Sequence, residues 1–301
     1  MDQMKTLREE LARCCPALEL REQEPMSRHT SFHIGGPAAL MALPKSQEEA
    51  ACAVRTAAGL GIAPFFMGNG SNLLAPDEGV DRFLIKSVPG LERCQVQGTQ
   101  LLAGAGISLA RLAAFARDEG LTGLEFAHGI PGSLGGAVTM NAGAYGGEMA
   151  QVVRSVDCLT AEGALETVTD FGFSYRSSVF SDGRRMILGA RLELQTGDRA
   201  DIRARMEELA ARRQSKQPLE YPSAGSMFKR PPGHFAGALI DQCGLRGLTV
   251  GGAQVSEKHA GFVVNRGGAT CADVLELVDQ VRARVLAQTG VELEMEVRVL
   301  R

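Results

Sequence analysis

Nineteen residues from Gly129 to Gly147 hold seven glycines, with Ser133, Thr139, Asn141 and Tyr145 among them. Glycine adopts positive φ freely and lets another group come close to the backbone, but ordering it is entropically costly. A run this dense therefore points to a ligand or to very tight packing. Ile130, Leu134, Val138 and Met140 make it too apolar for a plain linker. Ser133 is placed to cap a short helix beginning near Leu134, and the first N–H groups of such a helix favour an anion. Two shorter glycine turns lie upstream. Gly68–Leu74 (GNGSNLL) follows the apolar run 63–67, and Gly104-Ala105-Gly106 follows Leu101-Leu102-Ala103. Neither completes the dinucleotide fingerprint G-x-G-x-x-G, and no G-x-x-x-x-G-K-[ST] occurs, which excludes the usual P-loop nucleotide hydrolases. Three such elements within eighty residues suggest backbone N–H groups that cradle a pyrophosphate.

Composition narrows the remaining chemistry. A net charge of −3 across 301 residues gives no general pull towards nucleic acid, and with no Trp and only three Tyr there is little to stack on bases or sugars. His29 and His33 are separated by what reads as strand or turn, and H-E-x-x-H is absent, so no metal site is expected. The seven cysteines are odd in number and form no C-x-x-C, which fits buried free thiols in a reducing compartment. The N-terminus mixes acidic and basic residues, and no apolar run reaches membrane-spanning length. A cytoplasmic protein without membrane or nucleic-acid partners is the expectation.

The elements that must position the glycine turns follow from periodicity. Leu7 and Leu11 predict a helix over 3–15, and Ser46–Glu49 reads as a capping box for a helix ending near Leu60. Ser108 opens a helix that Gly120 closes. Strands are expected at 63–67, 83–86, 101–103, 152–160 and 185–194. Gln195–Asp198 is the best boundary, followed by a charged helix over 200–215 and then an irregular, four-proline segment from Lys216 to Gly233. Long proline-ordered loops of this kind are commonly functional or disordered. A helix at 235–243, a strand at 261–265 and a helix capped at Thr270 come next. The last strand alternates, with Val291, Leu293, Met295, Val297 and Val299 on one face and Glu292, Glu294, Glu296 and Arg298 on the other.

Seven segments in order carry a resemblance: 30–38 (TSFHIGGPA), 68–74 (GNGSNLL), 129–137 (GIPGSLGGA), 140–146 (MNAGAYG), 175–178 (YRSS), 224–229 (AGSMFK) and 293–298 (LEMEVR). Together they resemble the UDP-N-acetylenolpyruvoylglucosamine reductase family, also called UDP-N-acetylmuramate dehydrogenases, from about Arg28 to the C-terminus. The resemblance implies an α+β protein with an FAD-binding fold of the p-cresol methylhydroxylase type, made of two α+β lobes and a C-terminal α+β substrate-binding domain. The FAD-binding region is expected at 1–197, with lobes of about 1–88 and 89–197, and the substrate domain at 198–301. FAD contacts are expected from Gly68, Asn69, Gly70, Ser71, Asn72, Gly106, Ile130, Pro131, Gly132, Ser133, Gly136, Asn141, Ala142 and Gly143. The 68–74 turn holds no His or Cys to tether the flavin, so FAD is expected to bind non-covalently.

The same resemblance implies Arg176, Ser226 and Glu296 as the catalytic set, with NADPH as hydride donor and UDP-N-acetylglucosamine-enolpyruvate as substrate in cell-wall precursor synthesis. Arg176 would pair with the substrate carboxylate, Ser226 would give a proton to carbon, and Glu296, either protonated or sharing a proton with the intermediate, would assist in the same way, its pKa then raised by burial or neighbouring charge. Tyr175, Lys216, Lys229 and Arg230 are candidates for the UDP group. Only fifty positions separate Arg176 from Ser226. That spacing matches the shorter class of the family, which lacks an inserted substrate-capping loop, and it leaves open which side chain closes over UDP. Two other readings are distinguishable. A flavin oxidase of the same fold would not be bleached by NADPH without oxygen, and a non-catalytic nucleotide-binding regulator would be colourless.

Overall fold

Local sequence signals fix the helices of the chain. The computed structural model describes residues 3–300, which divide into two compact units. Unit 1 comprises Met1–Glu22, Ala39–Asn69 and Arg82–Arg212, and unit 2 comprises Gln23–Ala38, Gly70–Asp81 and Arg213–Arg301.

Unit 1 has two cores. The first gathers α1 (Gln3–Cys14) and α2 (Gln47–Gly59) beside a four-stranded sheet, ordered Glu19–Pro25, Pro37–Leu43, Val80–Lys86, Phe65–Met67. Leu7 and Leu11, one helical turn apart, both bury fully against Ala50, Ala53, Val54 and Ala57 of α2. The Ser46 hydroxyl accepts the Glu49 N–H at 3.2 Å, while the Glu49 carboxylate turns back to the N–H of Lys45 at 2.7 Å. A cap of this type stabilises a helix by about 1 kcal/mol.

The second core lies under a five-stranded antiparallel sheet, ordered Leu165–Val168, Val153–Leu159, Met186–Glu193, Gln100–Gly104, Cys94–Gln97. Against it pack α3 (Leu109–Asp118), capped by Ser108 and closed at Gly120, the short α4 (Leu134–Thr139), and Ile202 and Met206 of α5 (Arg199–Lys216).

Unit 2 contains α6 (Ala236–Gln242) and α7 (Cys271–Thr289) beside a three-stranded antiparallel sheet, Thr249–Val250, Ala253–Val255 and Val263–Asn265. Thr270 and Asp273 form a complete capping box on α7, and Gly290, at φ +71°, ends it. Phe32 and Leu74 are buried in the same core as Met227, Val281 and Leu293, so three stretches distant in sequence build one apolar interior.

Two readings of the sequence need adjustment. The segment 291–299 keeps its alternating burial, but only Arg298–Val299 joins a ladder, parallel to Leu73–Leu74; the rest is extended chain with one isolated bridge, Met295 to Phe228. Alternation follows from extended geometry alone and does not require a sheet partner. All seven cysteines are free, but only Cys158 and Cys271 are buried, and Cys14 is exposed. Gln195–Thr196 pairs with Leu121–Thr122 in unit 1, and the last stretch of unit 1 runs to Arg212.

Candidate active site

The three glycine elements meet around one hydroxyl. Ser133 is 1 % exposed, and its Oγ has no hydrogen-bond partner among the described residues. A Cβ placed on Gly68, in the first turn, would stand 2.1 Å from that Oγ; one on Gly136 would meet only the same atom, at 3.7 Å. The second turn closes the group from behind, because Ala105 and Ile107 present carbonyls to the N–H groups of Gly135 and Leu134, both at 2.9 Å. Leaving a buried hydroxyl unpaired costs about 1–3 kcal/mol. A phosphate oxygen at this point would remove that cost, so the residues present fit the pyrophosphate of FAD.

The expected anion site at the start of α4 is corrected by the same geometry. α4 is only six residues long, and its first two N–H groups are committed to those carbonyls. Their charge is therefore spent inside the protein.

Several of the expected FAD glycines have packing reasons of their own. A Cβ on Gly106 would lie 2.3 Å from the Ser87 carbonyl, and one on Gly143 would lie 2.7 Å from that of Gly147. Gly70 is held at φ +64°, with the His29 carbonyl 2.2 Å from where its Cβ would be. Gly136, by contrast, is exposed and faces open space apart from Ser133. Ile130 and Gly132 continue the loop through turn bonds, and Gly132 accepts the Leu109 N–H at the start of α3. Asn69 and Pro131 flank this group; Ala142 bonds through its N–H to Ala137 and through its carbonyl to the Met149 N–H.

Arg176 sits in unit 1 on a tight turn closed by Ser174 and Ser177, whose backbones exchange bonds of 3.1 and 3.2 Å. Its φ of +56° is unfavourable for a residue with a Cβ, and such conformations persist only where surrounding contacts enforce them. Those contacts come from the main glycine stretch. Buried Asn141 donates from Nδ2 to the Ser174 carbonyl at 3.3 Å and accepts the Ala150 N–H at 2.9 Å. The hydroxyls of Ser178 and Ser181 both donate to the Thr139 carbonyl, at 2.9 and 3.0 Å. The half-buried guanidinium lies 5.5 Å from the ring of exposed Tyr175.

Ser226 and Glu296 come together in unit 2. The segment 226–229 runs antiparallel beside 294–296: Glu296 N–H donates to the Met227 carbonyl at 2.9 Å, Phe228 bridges Met295, and Lys229 N–H donates to the Glu294 carbonyl. Ser226, exposed, also bridges Phe262 on its other side. Of the three glutamates on the alternating face, Glu296 is half-buried, whereas Glu292 and Glu294 are exposed and paired with Arg282 and Lys229.

The turn after Ser71 reaches this place too. Asn72 Nδ2 donates to the Glu296 carbonyl at 3.2 Å, and the Arg298 N–H donates to the Asn72 carbonyl at 3.0 Å. A residue expected to touch the cofactor thus fixes the backbone of an expected catalytic acid.

Of the candidates for UDP, Lys216 ends α5 exposed, Lys229 faces Glu294, and exposed Arg230 lies 4.6 Å over the Phe235 ring. Sequence reasoning passed over four supporting groups. The Ser31 hydroxyl donates to the Ser223 carbonyl at 2.7 Å, and buried Asn265 donates to that of Phe32 at 3.1 Å. Glu24 holds the His29 ring at 2.8 Å. His259 accepts the Gly261 N–H on Nδ1 at 3.1 Å, and burial lowers its pKa, which keeps available the lone pair that supports the strand beside Ser226. His29, Ser31 and Phe32 lie in or beside the TSFHIGGPA segment, which was the available signal for the first three.

Comparison with known proteins identifies the family. Residues 38–169 match the FAD binding domain model, and residues 217–300 match the model of the UDP-N-acetylenolpyruvoylglucosamine reductase C-terminal domain. The chain is 49% identical over 282 residues to the UDP-N-acetylenolpyruvoylglucosamine reductase of Heliobacterium modesticaldum, covering 93% of this chain and 90% of that one. With the same enzyme of Pediococcus pentosaceus it shares 47% identity, over 96% and 97% of the two chains. The crystal structure of this reductase from Thermus caldophilus superposes with a TM-score of 0.80 at 37% identity, over 94% of this chain and 99% of that one. Identity this high over nearly whole chains, with cofactor and C-terminal models matched in order, means that the protein belongs to the UDP-N-acetylenolpyruvoylglucosamine reductase family of FAD-dependent oxidoreductases.

Proposed function

We propose that Arg176, Ser226 and Glu296 carry this family's reaction in this chain: the NADPH-dependent reduction of UDP-N-acetylglucosamine-enolpyruvate to UDP-N-acetylmuramate, a step of peptidoglycan precursor synthesis. Bound FAD would supply the hydride chemistry that connects NADPH with the methylene carbon of the enolpyruvyl ether. The protein supplies position and charge. Arg176 offers two parallel N–H donors to the substrate carboxylate, whose oxygens gain negative charge as the double bond is lost. Glu296, carrying a proton, donates a further hydrogen bond to the same developing charge. Ser226 gives its hydroxyl proton to the carbon beside the carboxylate; a serine is acidic enough only for a carbanion-like acceptor. Its exposure lets solvent restore the proton.

The observation that supports this reading is that the backbone of Glu296 bonds to both Asn72, a proposed FAD contact, and Met227, the residue next to Ser226. FAD is proposed to be held without a covalent link by Gly68, Asn69, Gly70, Ser71, Asn72, Gly106, Ile130–Ser133, Gly136 and Asn141–Gly143. The FAD-binding region is proposed within 1–197 and the substrate domain within 198–301. Tyr175, Lys216, Lys229 and Arg230 are proposed for the UDP moiety. Among the described residues no helix is long and apolar enough to cross a membrane, and a cytoplasmic enzyme acting on a small molecule, with no nucleic-acid partner, is the proposed setting.

The test is an absorption spectrum of the purified protein before and after anaerobic NADPH. Oxidised-flavin bands, bleached by NADPH and restored by the enolpyruvyl substrate, with flavin released intact by acid, are expected. Colourless protein that takes up no added FAD would overturn the reading.

A further inference from the structure

Cys14 and Cys52 lie outside the candidate active site. Cys14 is the last residue of α1 and Cys52 sits in the first half of α2. Their sulfurs are 3.2 Å apart, and Thr56 Oγ1 is 3.3 Å from Cys14 Sγ. Buried Leu7, Leu11, Ala50, Ala53, Val54 and Ala57 share one core, so the rigid packing of two helices sets the approach of the thiols. Cys14 is exposed and Cys52 is half-buried. Among the described residues no other two thiols come this close.

We propose that Cys14 and Cys52 are an oxidation site: a hydroperoxide converts them to a reversible disulfide that fastens α1 to α2. The exposed Cys14 sulfur, as thiolate, attacks the hydroperoxide. An S–O bond forms, the O–O bond breaks, and water or an alcohol leaves. Cys52 then attacks the Cys14 sulfenic acid. The S–S bond forms, the S–O bond breaks, and the leaving hydroxide takes the Cys52 proton to become water. Two thiols together lose two electrons and the hydroperoxide gains them.

The order of events follows from burial. Desolvation and the neighbouring Cys14 push the Cys52 thiol up to about 12, so it serves as the resolving partner and not as the first nucleophile. Bond formation requires the sulfurs to close to about 2.05 Å, a small movement for two side chains already in contact. The link would close a loop from residue 14 to residue 52. That loop includes the whole 23–38 stretch, with Ser31 and Phe32 and their bonds to Ser223 and Asn265. Neither cysteine belongs to the proposed catalytic set, so the cross-link stabilises the fold without altering turnover.

The experiment uses the full chain with FAD bound, reduced first and then treated with hydrogen peroxide. Expected are an intact mass lower by two hydrogens, a Cys14–Cys52 peptide on non-reducing digestion, and a melting temperature raised by roughly 3–6 °C that dithiothreitol reverses. Cys14→Ser and Cys52→Ser should each abolish the mass change and the shift while keeping flavin content and turnover. Oxygen added to Cys14 without a cross-link would overturn the proposal. So would a bridge through Cys15, or a Cys14–Cys52 bridge that leaves the melting temperature unchanged.

Discussion

Replacing each glutamate of the alternating face by glutamine separates structure from chemistry at Glu296. The perturbation is conservative because the bonds that hold residue 296 in place are made by its backbone: N–H to Met227 and carbonyl to Asn72. Glu296→Gln keeps both, and with them the segment beside Ser226. What it removes is a carboxyl group able to carry a proton. If that group shares its proton with charge developing on the substrate, which the glutamine amide cannot do although it still donates a hydrogen bond, its loss should lower turnover about 10²-fold or more. Glu292 and Glu294 provide internal controls. Their side chains are 76% and 71% exposed, and each pairs with a partly exposed cation. Pairs of this kind contribute about 0–1 kcal/mol to stability, so Glu292→Gln and Glu294→Gln should leave turnover unchanged. Anaerobic stopped-flow absorbance follows the two half-reactions separately. Bleaching by NADPH should proceed normally in all three variants, and only Glu296→Gln should be slow to recover colour with substrate. Equal effects at 292 and 296, or a silent Glu296→Gln, would refute the assignment of this face to catalysis.

Three other outcomes are expected. Arg176→Lys retains charge but not the planar fork, so turnover should drop by about 10²-fold or more with near-normal bleaching by NADPH; wild-type turnover would remove Arg176 from the site. Ser226→Ala should bind FAD, bleach normally and remain bleached when substrate is added, with Ser226→Cys retaining some activity; fast recovery of colour in the alanine variant would assign the proton to another donor. Gly68→Ala puts a Cβ 2.1 Å from Ser133 Oγ and should lower the flavin-to-protein absorbance ratio. Gly59→Ala, with nothing within 4 Å, should remain fully loaded; equal flavin content in the two would show that Ser133 does not line the cofactor site.

Much of the helical framework was legible because its determinants are local. Ser46, Ser108 and Thr270 each cap a helix within three residues of themselves, and Leu7 with Leu11 marks a buried face by spacing alone. The density of glycine between Gly129 and Gly147 also announced an unusual backbone before any fold was known. The face of 291–299 was right by periodicity, yet only Arg298–Val299 enters a sheet, because alternation reports an extended chain and is silent about partners.

The sequence by itself thus determined helix limits, the alternating face that carries Glu296, the glycine turns and, through seven ordered motifs, the family. Only the tertiary structure decided which of three glutamates on one face is sheltered. It also showed that the Ser133 hydroxyl, and not the start of α4, is the unsatisfied group at the glycine turns. The reason is separation along the chain. Asn72 reaches Glu296 across 224 positions and Asn141 steadies the Arg176 turn from 33 positions before Ser174. A hydrogen bond between such residues leaves no periodic or capping pattern in either stretch, because it exists only once the intervening chain has folded and brought donor to acceptor.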